Sequence, residues 1–228
     1  MTELAKDYVL QGEITDTLII FAHGAGANMH HEFMQSMAER LVARRFQVLR
    51  FNFMYMQNNM ADGKRRPPER APKLLAHYES VLAHVEQLIK LGKLAPKRIV
   101  LLGKSMGGRM SSILMSNEHD LTPELTDIAS KISHVICLGY PFLPPKGKEP
   151  RLSSINDSAM PTLVVQGERD SFGNKQQLTE WTLREGVEIR WLGDGDHSFK
   201  PRKSSGYTYE VNLDSAVKFI EEYLGPSE

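Results

Sequence analysis

The sequence predicts an α/β fold: a mostly parallel, doubly wound sheet with helices on both faces, three layers in all, and no large cap domain. Three observations predict it. Short apolar runs alternate with longer stretches whose apolar residues recur at helical spacing. That alternation implies right-handed crossovers and a sheet covered on both faces. The length of 228 residues, with 41% hydrophobic and 25% charged, allows one core that needs neither disulfide nor structural metal. No repeat or linker divides the chain, so 1–228 reads as a single domain.

The elements follow in order. Residues 17–22 (TLIIFA) form a buried strand that stops at the glycine loop His23-Gly-Ala-Gly26. Residues 29–45 place Phe33, Met34, Met37, Leu41 and Val42 at helical spacing, and 46–51 form the next strand. The stretch 52–72 is irregular, its second half too polar and Pro-rich for regular structure. A helix over 74–91 carries Leu75, Tyr78, Leu82, Val85 and Ile89 and closes at Gly92. Residues 98–102 form a strand, followed directly by a helix over 105–116. Strands at 135–138 and 162–166 are continuous apolar runs, whereas 187–192 alternates and suits an edge position. A last helix covers 213–224.

Charge and cysteine usage narrow the partners. Lys+Arg and Asp+Glu number 28 each, so wholesale binding to nucleic acid or an anionic membrane is not expected. The single cysteine, Cys137, makes no intramolecular disulfide, and with 11 methionines it fits a reducing compartment. The opening residues contain Glu3 and Asp7 and no apolar leader. These features predict a cytoplasmic protein with no cofactor and no metal. His30 and His31 are adjacent, point to different faces of a helix and lack HExxH spacing.

In a doubly wound sheet, ligands sit outside the carboxyl ends of the strands, so the loops after strands carry the chemistry. Gly103-Lys-Ser-Met-Gly107 joins a strand to a helix in a turn that tolerates little bulk and lifts the Ser105 hydroxyl above the sheet. A serine needs a base to take its proton, and the base needs an acid to hold its tautomer. His197 is the only histidine after residue 134, and it follows the strand at 187–192. Asp170 follows the strand at 162–166 and is favoured as the acid, with Asp194, Asp196 and Glu168 as alternatives. Acyl transfer also needs two N–H groups on the developing oxyanion. Met106, at a helix N-terminus, supplies one, and the loop around Ala25 the other, its glycines allowing close backbone approach. His23 orients this loop by hydrogen bonding and is also a candidate substrate contact. The segment between the strands at 135–138 and 162–166 is too short and Pro-rich for a helical cap, which predicts an open site. Tyr140, Phe142 and Leu143 are candidates to line it. Lys64, Arg65, Arg66, Arg70, Lys73, Arg109, Lys200, Arg202 and Lys203 predict a cationic rim for an anionic ester or thioester.

Together these motifs resemble the α/β-hydrolase superfamily over 17–224. Within it, Gly103-Lys-Ser-Met-Gly-Gly-Arg109, Gly139-Tyr-Pro-Phe142, Gln166-Gly-Glu-Arg-Asp170 and Gly195-Asp-His-Ser-Phe199 resemble a small branch of predicted hydrolases. That branch is similar to dienelactone-hydrolase-like proteins and shares its motif with a subunit of the non-specific-lethal histone acetyltransferase complex. The resemblance implies Ser105 as nucleophile, Asp170 as acid, His197 as base, and Ala25 and Met106 as oxyanion donors. There are two departures. Dienelactone hydrolases proper carry cysteine at the nucleophile, and Ser171 stands where the branch often has proline. The expected function is a serine hydrolase of carboxylesterase or thioesterase type acting on a small acyl ester. The alternative is a scaffold or protein-interaction module on the same fold.

Overall fold

A run as apolar as TLIIFA is stable only with neighbours on both edges and both faces. In the computed structural model, which describes residues 8–158 and 160–225, β2 (Thr17–Ala22) is buried at every position. It lies between β3 (Gln47–Phe51) and β4 (Arg98–Lys104), parallel to both. Beyond β4 come β5 (Ile132–Leu138), β6 (Thr162–Gly167) and β7 (Val187–Leu192), all parallel. A short β1 (Tyr8–Gln11) closes the far side antiparallel to β3, so the sheet runs β1-β3-β2-β4-β5-β6-β7. Residues 1–7, expected to carry no leader, lie outside the described residues.

Side chains alternate across each strand, so neighbouring positions feed opposite layers. Ile19, Phe21, Val48, Val100 and Leu102 pack against α1 (Glu32–Ala43) and α8 (Tyr209–Leu224). Leu18, Ile20, Leu49, Phe51, Ile99 and Leu101 pack against α3 (Ala71–Lys90) and α4 (Met106–Leu114). These layers bear out the expected three-layer architecture. On α3 the residues at helical spacing, Tyr78, Leu82 and Val85 among them, point into the core, each burial contributing roughly 1.5–3 kcal/mol. Among the described residues between β5 and β6 the only helix is the single turn α6 (Ser153–Asn156), so no large cap forms. Among the described residues no helix is long and apolar enough to cross a membrane.

Several elements differ from the expectation. β1 has only four residues, too few for periodicity to show; it exists because β3 leaves an open edge. The stretch expected to be irregular holds α2 (Met54–Asp62), whose polar residues face solvent while Tyr55 and Met56 anchor it, and which ends at Gly63 with φ +71°. Its second half, 63–70, is irregular as expected. α8 starts at Tyr209, four residues early, because the Thr208 hydroxyl accepts from Val211 N. Single turns α5 (Thr126–Ala129) and α7 (Lys175–Leu178) complete the set. β7 is an edge strand, as its alternation predicts.

Candidate active site

The chain leaves β2 toward β3 on one side and returns to β4 on the other, so the strand order reverses between β2 and β4. At such a switch point the loops diverge and open a crevice above the carboxyl ends. The loop 23–26 and the turn at Ser105 are the two walls of that crevice.

The turn is built by the absence of side chains. A Cβ on Gly103 would overlap the backbone of Gly107 and Gly108, and one on Gly107 would overlap the carbonyl of Ala22. Helix α4 therefore touches the strands backbone to backbone, and Ser105 is forced to φ +49°, ψ −110°, a conformation that costs a non-glycine residue about 1–3 kcal/mol. Its Oγ lies 2.8 Å from Nε2 of His197. The other imidazole nitrogen, Nδ1, lies 2.8 Å from Oδ2 of Asp170. A carboxylate there makes Nδ1 the protonated nitrogen and leaves Nε2 to accept the serine proton.

The alternative acids are engaged elsewhere. The Arg202 guanidinium grips the Asp194 carboxylate, which also meets Arg169 at 2.9 Å, and holds its pKa down to about 2. Asp196 accepts the N–H groups of Ser198 and Lys200. Glu168 pairs with Lys175 at 2.8 Å. Asp170, by contrast, is wholly buried and accepts from Phe172 N at 2.8 Å and from the Gln166 amide at 3.0 Å, besides the imidazole.

Gln166 was not singled out from the sequence. Its amide also accepts from Tyr140 N at 2.8 Å and donates to Gly173 O at 3.0 Å, joining the loops after β5 and β6. The signal available in the sequence is a glutamine directly after the apolar run Leu163-Val-Val165; the structure buries it completely. Lys104 was passed over as well. Its ammonium donates to the carbonyl of His197 at 2.6 Å, between the rings of Phe33 and Phe199. Burial lowers its pKa to about 8, against the pull of Asp170 and Asp196. The Phe172 ring packs against the imidazole at a tilt of 55°, with centroids 4.5 Å apart.

The N–H groups of Ala25 and Met106 bond to no protein acceptor among the described residues. Tyr55 Oη donates to Ala25 O at 3.0 Å and holds that loop from below. The glycines beside Ala25 are not needed for internal clearance. A Cβ on Gly26 would meet nothing within 4 Å, and one on Gly24 nothing closer than 3.5 Å. Both face the clefts, so what their smallness leaves free is space for a ligand.

His23 is wholly buried and lines none of the clefts, so it orients the loop, and the expected contact with a substrate is not made. Nδ1 donates to Gly24 O at 2.7 Å and Nε2 accepts from Phe53 N at 3.0 Å, a pair of bonds that only the neutral ring can make. Burial pushes its pKa down to about 4, aided by His77 and only partly offset by Gly24. Unfolded, it takes a proton near pH 6.5. Between those values the unfolded chain binds more protons, so stability is fully present above about pH 6.5 and falls as pH drops toward 4. The loss is on the order of 3 kcal/mol. Urea unfolding of wild type and His23→Gln across this window is expected to show the loss in wild type alone; parallel pH profiles would contradict it.

Two more assignments need correction. Tyr140 and Phe142 are wholly buried and line neither cleft, because the Gln166 amide clasps the Tyr140 backbone and turns both rings into the core beside Trp181. Pro141, between them, lines the site instead. Arg202 is committed to Asp194, as Arg66 is to Asp62, which thins the expected cationic rim. Lys200 does face a cleft, with its ammonium 5.5 Å from the Tyr209 ring centroid.

Ser105 stands between two clefts. One, of about 470 Å³, is bordered by Phe33, Met34, Lys104, Lys200 and Tyr209. The other, of about 320 Å³, runs over Met106, Arg109, Met110, Pro141 and Arg151. A larger hollow of about 740 Å³ beside Lys64 and Arg65 meets them at Ala25 but does not reach Ser105.

Residues 15–225 match the family described as alpha/beta hydrolase domain. No curated protein matches the chain significantly. Among solved structures, the chain is similar to an a/b serine hydrolase without lid from Xanthomonas campestris, at 17% identity and TM-score 0.64, covering 96% of this chain and 88% of that one. It is similar to dienelactone hydrolase from Anabaena variabilis, at 14% identity and TM-score 0.67, covering 97% and 93%. It is also similar to esterase 2 of Thermogutta terrifontis, at 17% identity and TM-score 0.66, covering 95% and 88%.

Proposed function

Because the chain belongs to the alpha/beta hydrolase domain family, we propose that it is a serine hydrolase of carboxylesterase or thioesterase type, with Ser105 as nucleophile, His197 as base and Asp170 as acid. The observation that carries this reading is the unbroken hydrogen-bonded line from Asp170 through His197 to a serine held in a strained turn. Nε2 of His197 takes the Ser105 proton as Oγ adds to the carbonyl carbon. The electron pair moves onto the carbonyl oxygen, toward the N–H groups of Ala25 and Met106. As the tetrahedral adduct collapses, the imidazolium returns its proton to the leaving alcohol or thiol and an acyl-serine remains. Water, deprotonated by the same imidazole, then releases the acid. Asp170 stabilises the imidazolium formed in each half-reaction.

The two open clefts meeting at Ser105 suit a small acyl ester with a group on either side of the carbonyl. The structural neighbours named above include an esterase and a dienelactone hydrolase, which supports ester chemistry at these clefts. The alternative from the sequence is a scaffold or protein-interaction module on the same fold. A scaffold, however, gains nothing from a serine at φ +49° or from two unbonded backbone donors beside it. A fluorophosphonate probe is expected to form a single adduct on Ser105, read by mass spectrometry, in protein that also hydrolyses short 4-nitrophenyl esters. Neither adduct nor turnover would leave the scaffold reading.

A further inference from the structure

Arg109 and Arg151 differ from the other basic residues near the site. Arg109 sits on the first turn of α4, its backbone N–H bonded to Ser105 O at 3.0 Å. Arg151 comes from the segment after β5, tied down by Arg151 N to Phe142 O at 2.7 Å. Both side chains are half-buried and border the 320 Å³ cleft that ends at Ser105. Among the described residues neither guanidinium makes an ion pair or a side-chain hydrogen bond, and Nε of Arg109 is buried without any partner. Elsewhere in the chain, Arg40, Arg44, Arg66, Arg169, Arg190 and Arg202 all have carboxylates.

Two half-buried cations that repel each other, one with an orphaned donor, cost free energy in the empty protein. An anion bridging them removes that cost, and guanidinium forks match a carboxylate or phosphate in geometry. Glu69 also borders the cleft, but its carboxylate is directed to Lys73 at 3.7 Å. The wider hollow at Lys64 and Arg65 is exposed, whereas this cleft is walled by Leu74, Met110 and Phe172, which weaken solvent screening of any charge inside.

We propose that Arg109 and Arg151 form an anion subsite, and that the substrate is an acyl ester carrying a carboxylate a few bonds from the scissile carbonyl. Arg109 lies one helical turn beyond Ser105 and borders the same cleft, which places the carboxylate on a short acyl chain, as in a half-ester of a four- or five-carbon dicarboxylic acid. The proposal rests on the hydrolase reading for its chemistry but not for its binding.

The test compares kcat/KM for 4-nitrophenyl hemisuccinate with that for 4-nitrophenyl butyrate. Wild type is expected to favour the anionic ester, and Arg151→Gln or Arg109→Gln to lower that selectivity about tenfold or more. Arg65→Gln, on the wider hollow, is expected to retain wild-type selectivity. Turnover of both esters with no preference, or selectivity lost with Arg65 instead, overturns the subsite and leaves the hydrolase reading standing. Should neither ester turn over, the hydrolase reading fails and calorimetry decides the subsite: glutarate binding to wild type that Arg151→Gln abolishes supports it, and no glutarate binding overturns it. Arg151 lies on an irregular surface segment, so its variant tests the idea even where Arg109→Gln disturbs α4.

Discussion

Ser105→Ala is expected to lower kcat for ester hydrolysis by about five to six orders of magnitude. The hydroxyl is the atom that forms the acyl bond, and among the described residues Ser105 Oγ is the group that meets Nε2 of His197, at 2.8 Å. What remains is direct attack by water, assisted by the backbone N–H groups of Ala25 and Met106, which alone is worth about three to four orders over solution. The fold is expected to persist. Alanine at φ +49° is no more strained than serine, and the closeness of α4 to the sheet depends on Gly103 and Gly107 rather than on Oγ. Single-turnover kinetics on protein of unchanged melting temperature makes the measurement. A loss of less than about a hundredfold would mean that another group attacks the carbonyl.

Asp170→Asn is expected to cost about four orders of magnitude in kcat while leaving KM within a few-fold. The carboxylate accepts three hydrogen bonds, from Phe172 N on Oδ1 and from Gln166 Nε2 and His197 Nδ1 on Oδ2. An asparagine has one accepting atom. With its oxygen toward Phe172, the NH₂ group faces the Gln166 amide donor and donates to His197 Nδ1. That drives the proton to Nε2, where it can no longer accept from Ser105. With its oxygen toward His197, the NH₂ group opposes Phe172 N–H and a buried donor is stranded, which destabilises the loop by about 1–3 kcal/mol. The pH profile separates the effects: activity recovering at high pH would indicate that the tautomer, rather than the loop, is at fault. Wild-type activity in Asp170→Asn would transfer the acid role to another carboxylate.

The strands, the long helices and their order were legible because burial on one face repeats along the chain at period 2 or 3.6. The turn at Ser105 was legible too, since a backbone-to-backbone approach permits only glycine at Gly103 and Gly107. β1 and α2 were not, because each has too few inward-facing residues to set a pattern and owes its place to a neighbour. Candidate side chains divide in the same way. His197 had no competitor downstream, whereas the place after a strand favours Asp170 without forcing it, since Glu168, Asp194 and Asp196 lie close by.

Local chemistry along the chain thus determined the sheet, the glycine elbow and the serine and histidine beside it. Only the folded molecule decided that Asp170 meets the imidazole while Asp194 is held by Arg202, that Tyr140 and Phe142 turn inward, and that Arg109 and Arg151 border one cleft. Periodicity records which residues leave water. Which partner a charge or a hydrogen-bond donor finds depends on distances across loops that are remote in sequence, and those exist only once the core has packed.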